Sequence, residues 1–434
     1  MKFLRRKISV FLAFALSFLL TIQSWAISRE MNALVKFETG SNAVSTRSST
    51  KILVEHYEIP LRLVESDVAL RIDPKIMQSL IFEKNGEKYI RWIINPEDTT
   101  WYKEVETLML KNEIPVERKQ YFEGYQTASR SYIIVDPVNK AEFSAKVSTD
   151  KTGGNWTDKK QTYEDAWQIR MVADYVNDLV KKGPELKNII LLDEPAIFGL
   201  KEIDHGMVIR EYGKLAKSGH YYVPGFSIMH DETGRKLAKL NGSDDPAAYW
   251  NENYNKPLAR AIAEFVALTG MTYDSPHSQN FLVELDKNKK PTGKIVFRDY
   301  GDTYLSEDFF TAIGRPDIPQ RWELQNVLKD RFSISVGILH GNKAPSWINP
   351  LQDLESKESY NQWGRDFYSE FSSEFSNQTG VSLTSPSTHL RAGMYFQKRF
   401  DLNDKNGLEF MELVKAGKQR AHLNYGKCSH VLAM

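Results

Sequence analysis

The residues best suited to chemistry fall in two short blocks. His277-Ser278-Gln279-Asn280 precedes an apolar run, 281–285, and Arg298-Asp299-Tyr300-Gly301 closes a second run after a basic turn that ends in Gly293. Two such runs around an Asp/Asn/Gly turn read as a hairpin. That places His, Gln and Asn at one strand edge and Arg and Asp at the next. Magnesium takes hard oxygen ligands, usually one or two carboxylates plus phosphate oxygens, while arginine offers fixed donors to phosphate. Asp299 and Asn280 are therefore candidate Mg2+ ligands. Gln279 and Asn280 are candidate phosphate contacts, and His277 is a donor or cation toward phosphate. A merely solvated hairpin explains the turn, but explains less well why these polar types gather at the strand ends.

The elements that must position these residues are legible upstream. A strand over 143–149 carries Lys146, Ser148 and Thr149, and a helix over 163–182 sets Trp167, Val172, Tyr175 and Leu179 at helical spacing, as core. Strands follow at 188–192 and 207–210 around a turn at Glu194-Pro195, then an apolar piece over 221–229 and a helix over 257–268. Earlier strands at 51–56, 89–94 and 131–135 alternate with helical stretches at 76–81 and 102–110. Helical patterns at 353–375 and 405–420 close the chain around a Ser/Thr/Pro break. The fold class predicted is mixed α/β (α+β), divided into a segment 1–26, a loose leader 27–50, an α+β domain 51–140, a central nucleotide-binding-like domain 141–310 and a helical part 311–434.

The 434 residues carry 57 Lys and Arg against 56 Asp and Glu, so no basic field argues for a nucleic-acid partner. Lys2, Arg5, Arg6 and Lys7 precede an apolar run to Ile22, and Ser24-Trp25-Ala26 offers small residues for cleavage, the pattern of a Sec-type signal peptide. The reading is export to a periplasm or medium with cleavage after Ala26, and membrane contact through that segment alone. Cys428 is the single cysteine, so no internal disulfide forms. His205, His220 and His230 match no zinc spacing. No feature sets an oligomeric state.

Taken in order, these segments resemble the IucA/IucC family of siderophore synthetases over about 141–305. The resemblance rests on Lys146-Val147-Ser148, a downstream arginine at Arg170, Leu191-Leu192-Asp193-Glu194, Val208-Ile209-Arg210-Glu211, Tyr222-Val223-Pro224-Gly225, His277-Ser278-Gln279-Asn280 and Arg298-Asp299. It implies a cupped-hand fold with mixed sheets, and ATP-dependent activation of a small-molecule carboxylate followed by condensation with an amine or hydroxyl. It also implies phosphate contacts from Arg170, Arg298, Lys146, His277 and one of Lys159 or Lys160, cofactor contacts from Ser148, Thr149, Gln279, Asn280 and Asp299, and Mg2+ on Asp299 and Asn280. The chain departs from the family pattern in two places: it contains no His-Pro pair, and Ser275 stands where an acidic residue is expected. Export is a third departure, since ATP is scarce outside the cytoplasm.

Two other readings stay open. His277-x-x-Asn280 followed by Asp299-Tyr300-Gly301 is similar to the metal-binding end of a kinase-like phosphotransferase. An exported scaffold that binds an anionic small molecule or ferric chelate without catalysis would also use these arginines and lysines.

Overall fold

In the computed structural model, the chain is described over residues 27–41, 48–96, 98–127, 130–150, 159–183, 185–272, 278–312, 314–320, 327–328, 332–336, 345–380, 389–391 and 395–400. The segment 1–26, His277 and the helical pattern at 405–420 lie outside these residues.

The apolar runs of the first half form an antiparallel nine-stranded sheet from β1 (Ile52–Pro60), β2 (Glu65–Val68), β3 (Ile81–Lys84), β4 (Glu87–Ile93), β5 (Lys119–Gln126), β6 (Ser131–Val135), β7 (Glu142–Lys146), β9 (Ala196–Leu200) and β10 (His205–Arg210). Their order is β2-β9-β10-β7-β6-β5-β1-β4-β3. Strands β6, β9 and β10 are buried along their whole length, as interior strands covered on both faces must be. A second sheet of β8 (Ile189–Leu191), β11 (Tyr221–Pro224), β13 (Phe281–Leu285) and β14 (Pro291–Phe297) has the order β11-β13-β14-β8, with β8 and β14 parallel; the short strand β12 (Met271–Thr272) lies outside both sheets. The fold is mixed α/β, as expected.

Three long helices pack around the sheets, Tyr163–Lys182 on β9 and β10 and Lys256–Thr269 on β14 and β8. Tyr163–Lys182 begins where the Thr162 hydroxyl accepts from the Asp165 amide at 3.0 Å, with acids in its first turn and lysines in its last, the arrangement that suits the helix dipole. Lys256–Thr269 is buried on nearly every side and ends on Gly270 in the left-handed conformation. Leu354–Thr379 stacks Phe367, Phe371 and Phe375 at four-residue steps against the core it shares with Lys256–Thr269.

The leader read as loose holds a helix instead, Arg29–Gly40, capped by Ser28. Met31, Leu34 and Val35 pack between the two sheets, touching a cluster that includes Ile133 and Val135 of β6, Tyr222 of β11, Leu282 of β13 and Val296 of β14. The i, i+3, i+4 spacing of those apolar residues was present within Ser/Thr/Asn-rich flanks, and burial between two sheets provides what local propensity does not. Among the described residues no helix is long and apolar enough to cross a membrane.

Candidate functional site

Register brings the site together. Lys146 of β7 stands opposite Ser131 of β6, and Ser144 opposite Arg210 of β10. Because side chains alternate along a strand, Ser131, Ser144, Lys146 and Arg210 share one face. In the second sheet Phe281 pairs with Phe297, and the Arg298 amide donates to the Asn280 carbonyl at 3.1 Å. The ends of β13 and β14, which carry the two blocks read from the sequence, thus open toward that face. Gly225 lets them approach: a Cβ there would meet the Tyr254 hydroxyl at 2.2 Å and the Ser278 carbonyl at 2.9 Å, a position only glycine fills.

The resulting cleft encloses about 50 Å3 and is lined by Arg130, Lys146, Lys159, Arg210 and Arg298, with Asp299 as the single acid on its wall, together with Thr127, Ser131, Gln279 and Asn280. Since a water needs only about 10–15 Å3 on this scale, the closed part accepts a group of phosphate or carboxylate size, and anything larger must extend outward.

Asp299 is the pivot. Its backbone sits in the left-handed region, φ +66°, sparsely populated for any residue except glycine but tolerated by Asp. Oδ1 accepts from Lys146 Nζ at 2.8 Å and lies 3.1 Å from Arg210 Nη2. Burial alone would raise the carboxyl, but the Lys146 and Arg210 charges overcome it and hold Asp299 well below the usual carboxylate range. Arg210 also donates from Nε to Glu194 Oε1 at 2.6 Å and from Nη1 to the Ser131 hydroxyl at 3.3 Å. Its Nη2 makes no hydrogen bond of good geometry despite burial, so it is a donor at the cleft with capacity left for an anion. Burial raises the Glu194 carboxyl in spite of Arg210.

Arg298 faces the cleft but is anchored from behind. Nη1 donates to Glu38 Oε1 at 2.6 Å and to the Tyr212 hydroxyl at 3.1 Å, and Nε donates to the Gln279 carbonyl at 2.8 Å. Glu38 is fully buried and comes from the helix Arg29–Gly40. Sequence reading assigned no role to Glu38, Arg130, Ser131, Glu194 or Arg210. Glu194 and Arg210 had a signal nonetheless, since both stand in segments that carry the family resemblance, Leu191-Leu192-Asp193-Glu194 and Val208-Ile209-Arg210-Glu211.

Of the sequence-predicted residues, Lys146, Gln279, Asn280, Arg298, Asp299 and Lys159 meet at the cleft. Ser148 and Thr149 lie behind it: the Ser148 hydroxyl accepts from the Gln161 amide at 2.8 Å and faces His205 Nε2 at 3.2 Å, while Thr149 pairs with Lys159 through both backbone bonds. They fix Lys159 in place instead of reaching the cleft wall. Lys160 turns away to Glu104. Arg170 is not brought to the cleft. It projects from the helix Tyr163–Lys182 into a separate cluster with Asp174 and with Asp67 at 3.4 Å, where Arg71 bonds Asp174 at 2.5 Å and Asp193 at 2.7 Å. The reason is geometric: helical phase turns Arg170 toward Asp67 of β2, at the sheet edge.

Among the described residues no three His, Cys, Asp or Glu side chains group to hold a metal. A magnesium ion carried by phosphates needs only one or two protein carboxylates, and Asp299 with Asn280 at the same wall fits that smaller requirement.

No protein-family model matches the sequence, and no curated protein matches it either. The fold, however, is similar to solved siderophore synthetases. Aerobactin synthetase IucC from a hypervirulent pathotype of Klebsiella pneumoniae superposes with a TM-score of 0.51 at 12% identity, over 76% of this chain and 62% of that one. The ATP-bound aerobactin synthetase IucA from the same source gives 0.51 at 14%, over 76% and 63%. Petrobactin biosynthesis protein AsbB from Bacillus anthracis strain Sterne gives 0.51 at 12%, over 79% and 62%. The chain thus spans somewhat under two thirds of each of these proteins.

Proposed function

We propose that the chain binds ATP with Mg2+ in this cleft and activates a small-molecule carboxylate for condensation with an amine or hydroxyl. The observation that supports the reading is the cleft's charge: five cationic side chains against one acid on the wall, in a fold similar to that of enzymes of which one was solved with ATP. Phosphoryl and adenylyl transfer are catalysed chiefly by positioning and by cations placed where negative charge builds up. In the proposed reaction a carboxylate oxygen attacks the α-phosphorus of ATP and pyrophosphate leaves. The amine or hydroxyl then attacks the acyl carbon, AMP leaves, and an amide or ester remains.

Lys146 and Arg210 bear on the phosphates, Lys159 and Arg130 add positive charge at the mouth, and Gln279 and Asn280 donate to phosphate oxygens. Asp299 and Asn280 would hold the magnesium, which supplies charge neutralisation to the phosphates when bound. Arg298 acts as a fixed positive wall. His277, next to Ser278, is assigned to phosphate contact on the sequence pattern alone. The proposed setting is outside the cytoplasm, with the chain released after Ala26.

One observation favours a second reading, a non-catalytic anion receptor. Lys146 and Arg210 both already bear on Asp299 Oδ1, so a metal there must compete with two cations, whereas a simple anion need only join the wall.

A single assay separates these readings. The chain from Ile27 is incubated with Mg-ATP, a panel of polycarboxylates and hydroxylamine, and pyrophosphate, AMP, ADP and hydroxamate are measured, with Asp299→Ala as control. Carboxylate-dependent pyrophosphate and hydroxamate, lost in the variant, would support the synthetase reading; ADP without pyrophosphate would indicate a phosphotransferase. Absence of nucleotide binding at millimolar ATP, with phosphate or citrate still bound, would leave the receptor.

A further inference from the structure

A second cavity, of about 200 Å3, lies at the opposite end of β7 from Lys146. Asp73, Glu142 and Glu211 line it, Glu211 the most buried of the three, and Lys75, Lys140 and Lys217 stand exposed at its rim. Glu211 is only 8% exposed, and its Oε2 has no hydrogen-bond partner. A buried carboxylate oxygen left unsatisfied costs roughly 1–3 kcal/mol or more, and such groups in native folds call for a donor that the protein itself does not supply. Burial raises the carboxyls of both Glu211 and Glu142, against the opposing charges of Lys214 and Lys217 respectively. Glu142 is otherwise satisfied, accepting from the Ser28 amide at 2.5 Å and hydroxyl at 2.7 Å. The uncommitted acceptor is therefore on Glu211.

We propose that this cavity binds a small zwitterion of the free amino-acid class, its ammonium donating to Glu211 and its carboxylate meeting Lys75 and Lys217. The arrangement selects both ends of the ligand. A bare amine would satisfy Glu211 but face the lysines at the rim; a bare acid would suit the rim but meet Glu211 below. A compound that carries both charged groups on one carbon satisfies each, and 200 Å3 holds much more than the single water that would otherwise fill the role. The inference stands apart from the nucleotide reading, because no cleft residue takes part.

The test is titration calorimetry on the chain from Ile27, without nucleotide, with the common amino acids and ornithine, and with ethylamine and propionate as single-charge controls. At least one amino acid should bind in the millimolar range or tighter and about tenfold better than either control. Glu211→Gln should weaken it about tenfold, equivalent to ~1.4 kcal/mol. Lys217→Ala, at an exposed position that leaves the core intact, should weaken it severalfold while ethylamine binding stays the same or improves. Failure of every amino acid at 10-fold millimolar excess, with the protein folded by circular dichroism, would overturn the proposal. So would binding unchanged in both variants, or binding removed by Lys159→Ala in the cleft.

Discussion

Two arginine-centred clusters meet at the adjacent acids Asp193 and Glu194, one taking each, and they differ in how their charges are counted. Around Arg71 and Arg170 three acids, Asp67, Asp174 and Asp193, meet two guanidiniums, although Arg170 Nε and Nη1 make no hydrogen bond of good geometry. Burial there dominates over the nearby guanidinium charges and raises Asp67. Around Arg210 the acids are Glu194 and Asp299, but Lys146 and the lining cations Arg130 and Lys159 tip the balance the other way, and Asp299 is held low. The first cluster is a closed weld between helix and sheet edge; the second retains attraction for an anion. Arginine in a suggestive sequence position reads alike in both. What separates structural from ligand-directed arginine is the number of acids that the fold delivers to it.

The contrast breaks most visibly at Arg210. Arg210→Met leaves Glu194 buried without its counter-ion and Asp299 with Lys146 alone, and removing one partner of a buried pair typically costs about 3–5 kcal/mol. Urea denaturation should show a loss of that size together with loss of anion binding. A midpoint within about 0.5 kcal/mol of wild type would mean that the pair is not closed in solution.

Next in size is Glu38→Gln, which keeps an acceptor for Arg298 but removes its charge, with an expected loss of about 1–3 kcal/mol. Unlike the Arg210 change it should leave anion binding or strengthen it, since Arg298 then faces the cleft less neutralised. Paired thermal melts and phosphate titrations would show the split. Arg170→Gln should cost a similar 1–3 kcal/mol yet leave ATP or phosphate affinity within about twofold. A tenfold loss of affinity would return Arg170 to the site.

The two acids of the cleft also titrate in opposite senses. Asp299 has a lowered folded pKa, so its stabilisation is present above the unfolded value of about 3.9 and is lost as pH falls below that toward the folded value. Glu194 has a raised folded pKa, so its term favours folding at low pH and fades as pH rises above about 4.3. Asp299→Asn should therefore narrow its stability gap from wild type between pH 5 and pH 3, and Glu194→Gln should not; denaturation midpoints at the two pH values decide it. The smallest effect expected is Lys159→Ala at the cleft mouth: about 0.5–1 kcal/mol in phosphate affinity, screened by salt, and no change in the melt.

Much of this architecture can be traced in the residues. The helix Tyr163–Lys182 announced itself through apolar spacing, and the 281–297 hairpin through its Asp/Asn/Gly turn, because both signals are local. The blocks at the hairpin ends converge with Lys146 because strand register carries them there. Glu38 and Arg130 were not legible. Neither stands in a motif, and each joins the site through packing between segments far apart in the chain. The helix Arg29–Gly40 was readable from Met31, Leu34 and Val35, but the polar residues on either side masked a short amphipathic stretch whose partners lie in two sheets.

The ion pair between Glu38 and Arg298 spans 260 residues. Contacts of such high sequence separation form slowly, because chain closure must precede any gain. Glu38 emerges early from the ribosome, and its partner appears only after most of the chain has been made. Until then, the apolar face of Arg29–Gly40 has no sheet pair to cover it. The cleft is therefore assembled late, and in the interval the apolar face of Arg29–Gly40 is open to misassociation.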